Sequence, residues 1–207
     1  MRSSSDGLAA RAASLREPIW VESNEQKEAA RALEMLHVQL ISAVIDPYAW
    51  KWVILVLHHA VHAFLAASLD TRGEAGRTEA RATGPALRVY DHGSGAELEA
   101  TPGDLPELYD RMKQVTGFRP PDEVDQDVAR LGQYRDALFQ RIPARWTLRI
   151  DELPHLTQNC LRVVEHLGWN PGHIRWQKET LTDLARVKFL ASMKALESLA
   201  GQYRPAA

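Results

Sequence analysis

The sequence predicts an all-α fold, a helical bundle of about five to six helices with a small β-hairpin insertion. Three observations support this class: apolar stripes with spacings of three and four residues, one nearly continuous apolar segment at 47–69, and capping or stopping residues that flank these segments. A length of 207 residues fits one domain with a substantial core. We expect this domain at 23–203, after a flexible N-terminus at 1–22.

The composition narrows the classes of function. The net charge of −2 gives no global positive field that would draw the protein onto nucleic acid or an anionic membrane, although a local basic patch stays open. A single cysteine, Cys160, rules out an internal disulfide, and residues 1–16 lack the apolar core of a secretory signal. These features predict a cytoplasmic protein in which Cys160 serves as a small apolar residue on a helix face.

The first helix is expected at about 24–45. Residues 23–26 have the form of a capping box, and apolar residues then recur at helical spacing. This stripe consists of Ala29, Leu33, Leu36, Leu40 and Val44. Asp46 followed by Pro47 supplies an N-cap and a first-position proline, so a second helix should begin almost without a loop.

The second helix, 47–69, is apolar nearly all the way round, which allows two interpretations, a membrane span or a central buried helix. Lys51 near its start and three histidines at mid-length (His58, His59 and His62) interrupt the apolar run, and no other segment resembles a span. We therefore expect a central core helix and no membrane association.

Residues 70–103 change character. The sequence there is small, charged and punctuated by glycine, which is typical of an exposed loop. Within it, 87–91 and 96–100 alternate between apolar and polar residues about a turn at 92–95, and this pattern predicts the small β-hairpin.

Four further helices are predicted, at about 104–116, at about 122–140, between Asp151 and Gly168, and at about 177–201. Gly117 and Gly168 supply stop signals for the first and third of these, and Asp151 is the expected cap of the third. Residues 146–150 alternate in polarity and predict a short extended segment.

The helix at 122–140 has an unusual feature at Arg135. Four apolar residues form its inward stripe, and Arg135 occupies the position that would complete the stripe. Those four residues are Val124, Val128, Leu131 and Leu138. A guanidinium on such a stripe has to extend to water, pair with a carboxylate or line a polar cleft, because an unpaired buried charge is destabilising by several kcal/mol. Arg135 either flanks the core beside a neighbouring acid or contributes to a binding cleft.

The stretch 135–140, Arg-Asp-Ala-Leu-Phe-Gln, resembles a motif of the HEPN domains, the higher eukaryote and prokaryote nucleotide-binding group of helical bundles. In that motif an arginine is followed by a polar residue and, four to six positions beyond the arginine, by a histidine. The surrounding sequence from about 45 to 175 also resembles bacterial HEPN-type proteins. The resemblance rests on Trp50-Lys51, Leu57-His58, Trp146-Thr147-Leu148, Leu153-Pro154 and Asn159-Cys160-Leu161.

Gln140 stands where the HEPN ribonucleases have their histidine. In those enzymes the arginine and histidine of two subunits are thought to promote RNA cleavage, and a glutamine amide cannot exchange a proton near neutral pH. The resemblance therefore implies a homodimeric, non-catalytic nucleotide- or RNA-binding or regulatory module, in a toxin–antitoxin or defence setting. Its ligand-binding candidates are Arg135, Asp136 and Gln140. On an ideal helix Asp136 and Gln140 share one face, while Arg135 points about 100° away from Asp136.

His58 and His62 are further ligand-binding candidates, because they lie four residues apart on one helix face. This spacing can bind zinc if His37 or Glu34 completes the set. The alternative is that both are core or cleft residues, and we expect neither a metal nor a cofactor. Four tryptophans offer either stacking surfaces for bases or core anchors. They are Trp50, Trp52, Trp146 and Trp176.

Two other function classes stay open. The first is an interaction module without a small ligand, in which residues 70–103 bind a protein partner. The second is an enzyme, either a weak ribonuclease with another general base or a metal-dependent hydrolase that uses His58 and His62.

Overall fold

The computed structural model describes residues 23–70, 104–139 and 146–203. Within these ranges the chain forms six α-helices and one 3-10 turn, and no strand, which confirms the all-α class. The elements are α1 (Glu25–Ile45), the 3-10 turn (Pro47–Ala49), α2 (Trp50–Asp70), α3 (Leu105–Thr116), α4 (Asp122–Phe139), α5 (Leu153–Gly168) and α6 (Glu179–Gln202). The predicted terminus at 1–22, the hairpin at 87–100 and Gln140 lie outside the described residues.

Helix α2 is the centre of the bundle. Helices α1, α3, α4 and α5 all pack against it, and α6 packs on α1 and α5. The segment Pro47–Leu69 is the one described helix that is long and apolar enough to cross a membrane, yet 61% of its most apolar window is buried inside the fold. Large side chains such as Trp50, Leu57 and Phe64 are fully buried. The prediction of a central core helix is confirmed.

Side-chain caps fix the ends of several helices. The Asn24 side chain accepts a hydrogen bond from the backbone N–H of Lys27 at 2.9 Å, and Asp104 accepts one from Glu107 at 3.0 Å. Each bond satisfies an N–H that the first helical turn leaves unpaired. Gly117 ends α3 with φ 71°, a conformation that a residue with a Cβ atom rarely adopts.

The predicted cap of α5 is wrong. Glu152 occupies the N-cap position and makes no side-chain capping bond. The Asp151 carboxylate is held instead by the Arg149 guanidinium, with Nε–Oδ1 and Nη2–Oδ2 distances of 2.8 and 2.9 Å. A two-point contact between charged groups is stronger than a single bond to a backbone N–H, and Arg149 lies only two residues before Asp151 in the sequence.

The extended segment before α5 is confirmed. Leu148 and Ile150 are partly buried against the core, while Thr147 and Arg149 are exposed, and no strand pairing is involved. Farther along α5, Cys160 is fully buried, and this burial raises the pKa of its thiol. Its expected role as a small apolar residue therefore holds.

The four tryptophans singled out in the sequence divide into two groups. Trp50 is fully buried and donates a hydrogen bond to the Tyr203 hydroxyl at 3.1 Å. Trp176 packs edge-on against Phe64. Both are core anchors. Trp52 and Trp146, in contrast, are exposed, which leaves their rings accessible to a ligand.

Candidate functional site

Arg135 lies at the edge of the inward stripe of α4 and not within it. Leu131 and Leu138 on either side are buried, but the Arg135 side chain keeps 39% of its surface exposed. Its long aliphatic stem allows the guanidinium to reach the rim of the core. Of the two alternatives drawn from the sequence, Arg135 has the position expected of a residue that flanks the core beside an acid, and a role in ligand binding stays a prediction.

The acid that pairs with Arg135 is its neighbour Asp136. Arg135 Nη1 lies 2.7 Å from Asp136 Oδ1, and helix α4 continues without interruption through Phe139. On an ideal helix the two side chains point about 100° apart, so that a shared site would need the helix end to unwind or groups from a second subunit. The flexible arginine folds back along the surface and removes that requirement.

His58 and His62 on α2 stand next to this ion pair. Their rings are stacked, with centroids 6.3 Å apart and planes inclined by 20°. Burial, followed by the nearby charges of Arg135 and His62, lowers the pKa of His58 to about 4, while the Asp136 carboxylate opposes this shift. Four of the five sequence candidates thus come together between α2 and α4. We call His58, His62, Arg135 and Asp136 the Arg135 cluster.

The metal interpretation of the two histidines finds no support in the described part of the chain. No group of three or more histidine, cysteine, aspartate or glutamate side chains there could hold a metal ion. His37, one suggested third ligand, has its pKa lowered by burial and by Lys188 of α6, so it faces that helix. Glu34, the other, is bonded to Arg31.

A second group of side chains gathers where α2 begins. Tyr48 and Trp146 have ring centroids 5.6 Å apart, and Lys51 Nζ lies 5.5 Å from the centre of the Trp52 ring and 5.8 Å from that of Trp146. The three rings are 52%, 36% and 47% exposed for Tyr48, Trp146 and Trp52. We call these four residues the aromatic patch.

The aromatic patch and the Arg135 cluster share one face of α2. Lys51 and His58 are seven residues apart, two helical turns, which places them on the same side and about 10 Å apart along the axis. From the sequence, Trp52 and Trp146 were predicted to be stacking surfaces or core anchors, whereas Tyr48 and Lys51 were not identified as ligand contacts. Helical periodicity cannot place Trp146, because it follows a connection and reaches α2 only in the folded chain.

A third polar group, which sequence reasoning missed, joins α4 to α5. Asn159 Nδ2 donates to Asp127 Oδ2 at 2.8 Å, Arg130 Nη1 lies 3.3 Å from Asp127 Oδ1, and Arg130 Nη2 lies 2.8 Å from Glu152 Oε1. Asn159 Nδ2 also lies 3.1 Å from His155 Nε2. We call these five residues the α4–α5 polar network.

The sequence contained a signal for this network. Asp127 follows Val124 by three positions and precedes Leu131 by four, so it stands on the inward stripe. It is in fact only 5% exposed. By the same spacing, Asp127 lies inside the apolar stripe, whereas Arg135 lies at its edge. Because its carboxylate is bonded to groups of the fold itself, the network is structural.

The chain was compared with protein-family models, with curated proteins and with solved structures, and nothing matches in any of the three. Fold and site geometry therefore provide the basis for a functional proposal. Of the groups described, the Arg135 cluster combines a partly exposed guanidinium with the neutral, hydrogen-bonding imidazole of His58.

Proposed function

We propose that this protein is a HEPN-like module that binds a nucleotide or RNA without cleaving it, as a cytoplasmic homodimer in a regulatory or defence setting. The main support is the Arg135 guanidinium, which is partly exposed and, among the described residues, paired only with an exposed carboxylate. A phosphate group can take the place of that carboxylate.

The exchange of Asp136 for phosphate is energetically modest. Exposed ion pairs contribute about 0–1 kcal/mol, because both partners are well solvated when apart. The Asp136 side chain is 56% exposed and can turn into water when it is displaced. Arginine is suited to phosphate because its planar fork can donate two parallel hydrogen bonds to two phosphate oxygens.

His58 contributes hydrogen bonding and no charge. With a pKa of about 4 its imidazole is neutral at pH 7, so one ring nitrogen donates and the other accepts. Such a ring, stacked on His62, can pair with the edge of a base beside the phosphate. The Arg135 guanidinium supplies a permanent positive charge beside this ring.

The same pKa supports binding more than catalysis. A general acid–base group works best when its pKa lies near the operating pH, and about 4 is far below it. Gln140, which takes the place of the motif histidine, has no titrating group. We therefore expect wild-type protein to leave a bound RNA intact during incubation, and rapid cleavage would contradict this part of the proposal.

The homodimer follows from the family resemblance, and one surface is compatible with it. The outer side of α1 exposes apolar residues at spacings of three and four, namely Met35, Val38, Ile41 and Ile45. A continuous apolar stripe of this kind is typical of an interface. Sedimentation as a monomer at micromolar concentration would contradict the dimer.

Arg135→Ala tests the binding proposal directly. We expect a loss of about 10- to 100-fold in affinity for a fluorescent single-stranded RNA in low salt, the equivalent of one lost charged contact. Arg186→Ala is the matched control, because Arg186 is exposed on α6, which packs on α1 and α5. Absence of RNA and nucleotide binding by the wild type, or equal loss in both variants, would contradict the proposal.

A further inference from the structure

The aromatic patch is exposed although it is rich in rings. None of Tyr48, Trp52 and Trp146 belongs to the hydrophobic core or packs against it as a partly buried neighbour. Each ring therefore keeps a large apolar surface in contact with water. Two of the rings lie near Lys51 and the third, Tyr48, contacts Trp146, and together they form a surface that a flat, apolar and negatively charged partner would cover.

The patch has the chemistry of a stacking platform. Lys51 Nζ lies over two indole rings, and no ion pair with a carboxylate joins it among the described residues. Its charge thus remains available to an anion, while cation–π contacts hold the rings in place. Bases stack on exposed aromatic rings regardless of sequence, and each stacked base is followed by a phosphate.

The distance along α2 sets the size of the partner. Lys51 and His58 lie about 10 Å apart on one face. Successive nucleotides of a stacked strand rise about 3.4 Å, so three nucleotides cover the interval between the patch and the Arg135 cluster. A base pair inside a duplex cannot reach the rings, because its faces are already stacked; a single strand can.

We propose that the aromatic patch is a base-stacking subsite for single-stranded RNA, about three nucleotides along the strand from the phosphate held at Arg135. This inference rests on the proposed function and extends it by naming the class of ligand: an oligonucleotide and not a mononucleotide. Bases stack on Tyr48 and Trp146, and Lys51 binds the adjoining phosphate. Trp52 positions the lysine through its cation–π contact.

The test measures affinity against ligand length. Wild-type protein is titrated with a mononucleotide, a dinucleotide, a tetranucleotide and a hexanucleotide of RNA, and we expect a sharp rise in affinity between the dinucleotide and the tetranucleotide. Trp146→Ala should lose about 5- to 100-fold for the tetranucleotide, the effect of one lost stacked base, and keep wild-type affinity for the mononucleotide. Trp146→Phe should recover most of the loss. Leu190→Ala on α6 is the exposed apolar control.

The outcomes separate this inference from the proposed function. Equal affinity for mononucleotide and tetranucleotide would overturn the subsite and leave phosphate binding at Arg135 intact. Failure of every RNA ligand to bind would overturn both. Equally tight binding of an acidic peptide of the same charge, or of a duplex, would overturn the stacking mode. If Trp146→Ala unfolds, Lys51→Ala replaces it, with Lys194→Ala on α6 as its control. Lys51→Ala should then lose affinity for the tetranucleotide and keep wild-type affinity for the mononucleotide.

Discussion

Helix α4 holds two charged residues on or beside the same stripe, Asp127 and Arg135, and the fold treats them differently. Asp127 is buried and bonded to Asn159 and Arg130. Arg135, two turns farther along, stays at the rim and pairs with an exposed neighbour. A buried charge whose partners belong to the fold specifies packing, whereas a rim charge with an exchangeable partner is available to a ligand.

The difference between the two positions arises from what packs opposite them. Helix α5 presents an amide to Asp127, so the carboxylate can be buried without losing its hydrogen bonds. Helix α2 presents imidazole rings to Arg135, and these give a guanidinium no opposite charge. The arginine therefore remains partly in water, and the neighbouring histidine is kept neutral.

Asp127→Ala should have the largest effect on stability. Removal of the carboxylate leaves the buried Asn159 amide without this acceptor, whereas the partly exposed Arg130 keeps its contact with Glu152, and we expect a loss of about 2–3 kcal/mol in the free energy of unfolding. Arg135→Ala should lose less than about 1 kcal/mol, since it breaks only a surface pair. Urea unfolding of both variants measures the contrast. Equal losses would mean that the two charges have the same role after all.

Much of the fold could be predicted from the sequence because its signals are local. The predicted stop at Gly117 acts on backbone groups within four residues and needs no knowledge of the neighbouring helices. The capping box predicted at 23–26 is wrong in detail, because Asn24 is the N-cap of α1 and the Gln26 side chain bonds to the backbone of Arg175 and Gln177. The Asp151 cap failed for the same kind of reason, since Arg149 competes for the carboxylate at short range. Local chemistry decides these ends, and it can be read from the sequence when all competitors are considered.

The candidate site was only partly predictable, because it depends on contacts between distant segments. Spacing placed His58 with His62 and identified Arg135, but it could not show that α2 and α4 bring them together. The exact edge of an apolar stripe depends on the width of the helices packed against it, so Arg135 could not be assigned to rim or core. The partnership of Trp146 with Lys51 required the folded chain.

Acid should destabilise the fold by protonating His58 of α2, which lies beside Arg135 of α4. The pKa of His58 falls from its ordinary 6.5 to about 4 in the folded protein, so the unfolded chain takes up the proton first as the pH drops. The stability that the neutral His58 ring contributes is therefore fully present above pH 6.5 and is lost as the pH falls toward 4. Because the ring is partly exposed, we expect this residue to account for about 1–2 kcal/mol of the loss.

A variant series isolates this contribution. His37 and His166 also have pKa values lowered by burial and will add to the acid sensitivity in the same direction. The comparison of wild type with His58→Asn, by urea unfolding at several pH values, removes their share. Arg135→Ala should give a smaller pH dependence than the wild type, because one charge that lowers the pKa of His58 is gone. An unchanged pH profile in His58→Asn would contradict the assignment.

The smallest expected effect, Asp136→Asn, gives the sharpest test of an exchangeable partner. If phosphate displaces the Asp136 carboxylate from Arg135, the amide should strengthen RNA binding by about 2- to 5-fold, because a competitor for the guanidinium and a repulsive charge are both removed. Asp183→Asn on α6 makes the same change in net charge at an exposed position and should alter affinity much less. Binding is measured by titration of a tetranucleotide in low salt. A weaker Asp136→Asn complex would mean that the carboxylate contacts the ligand itself, for example at a base edge, and that Arg135 is not released by exchange.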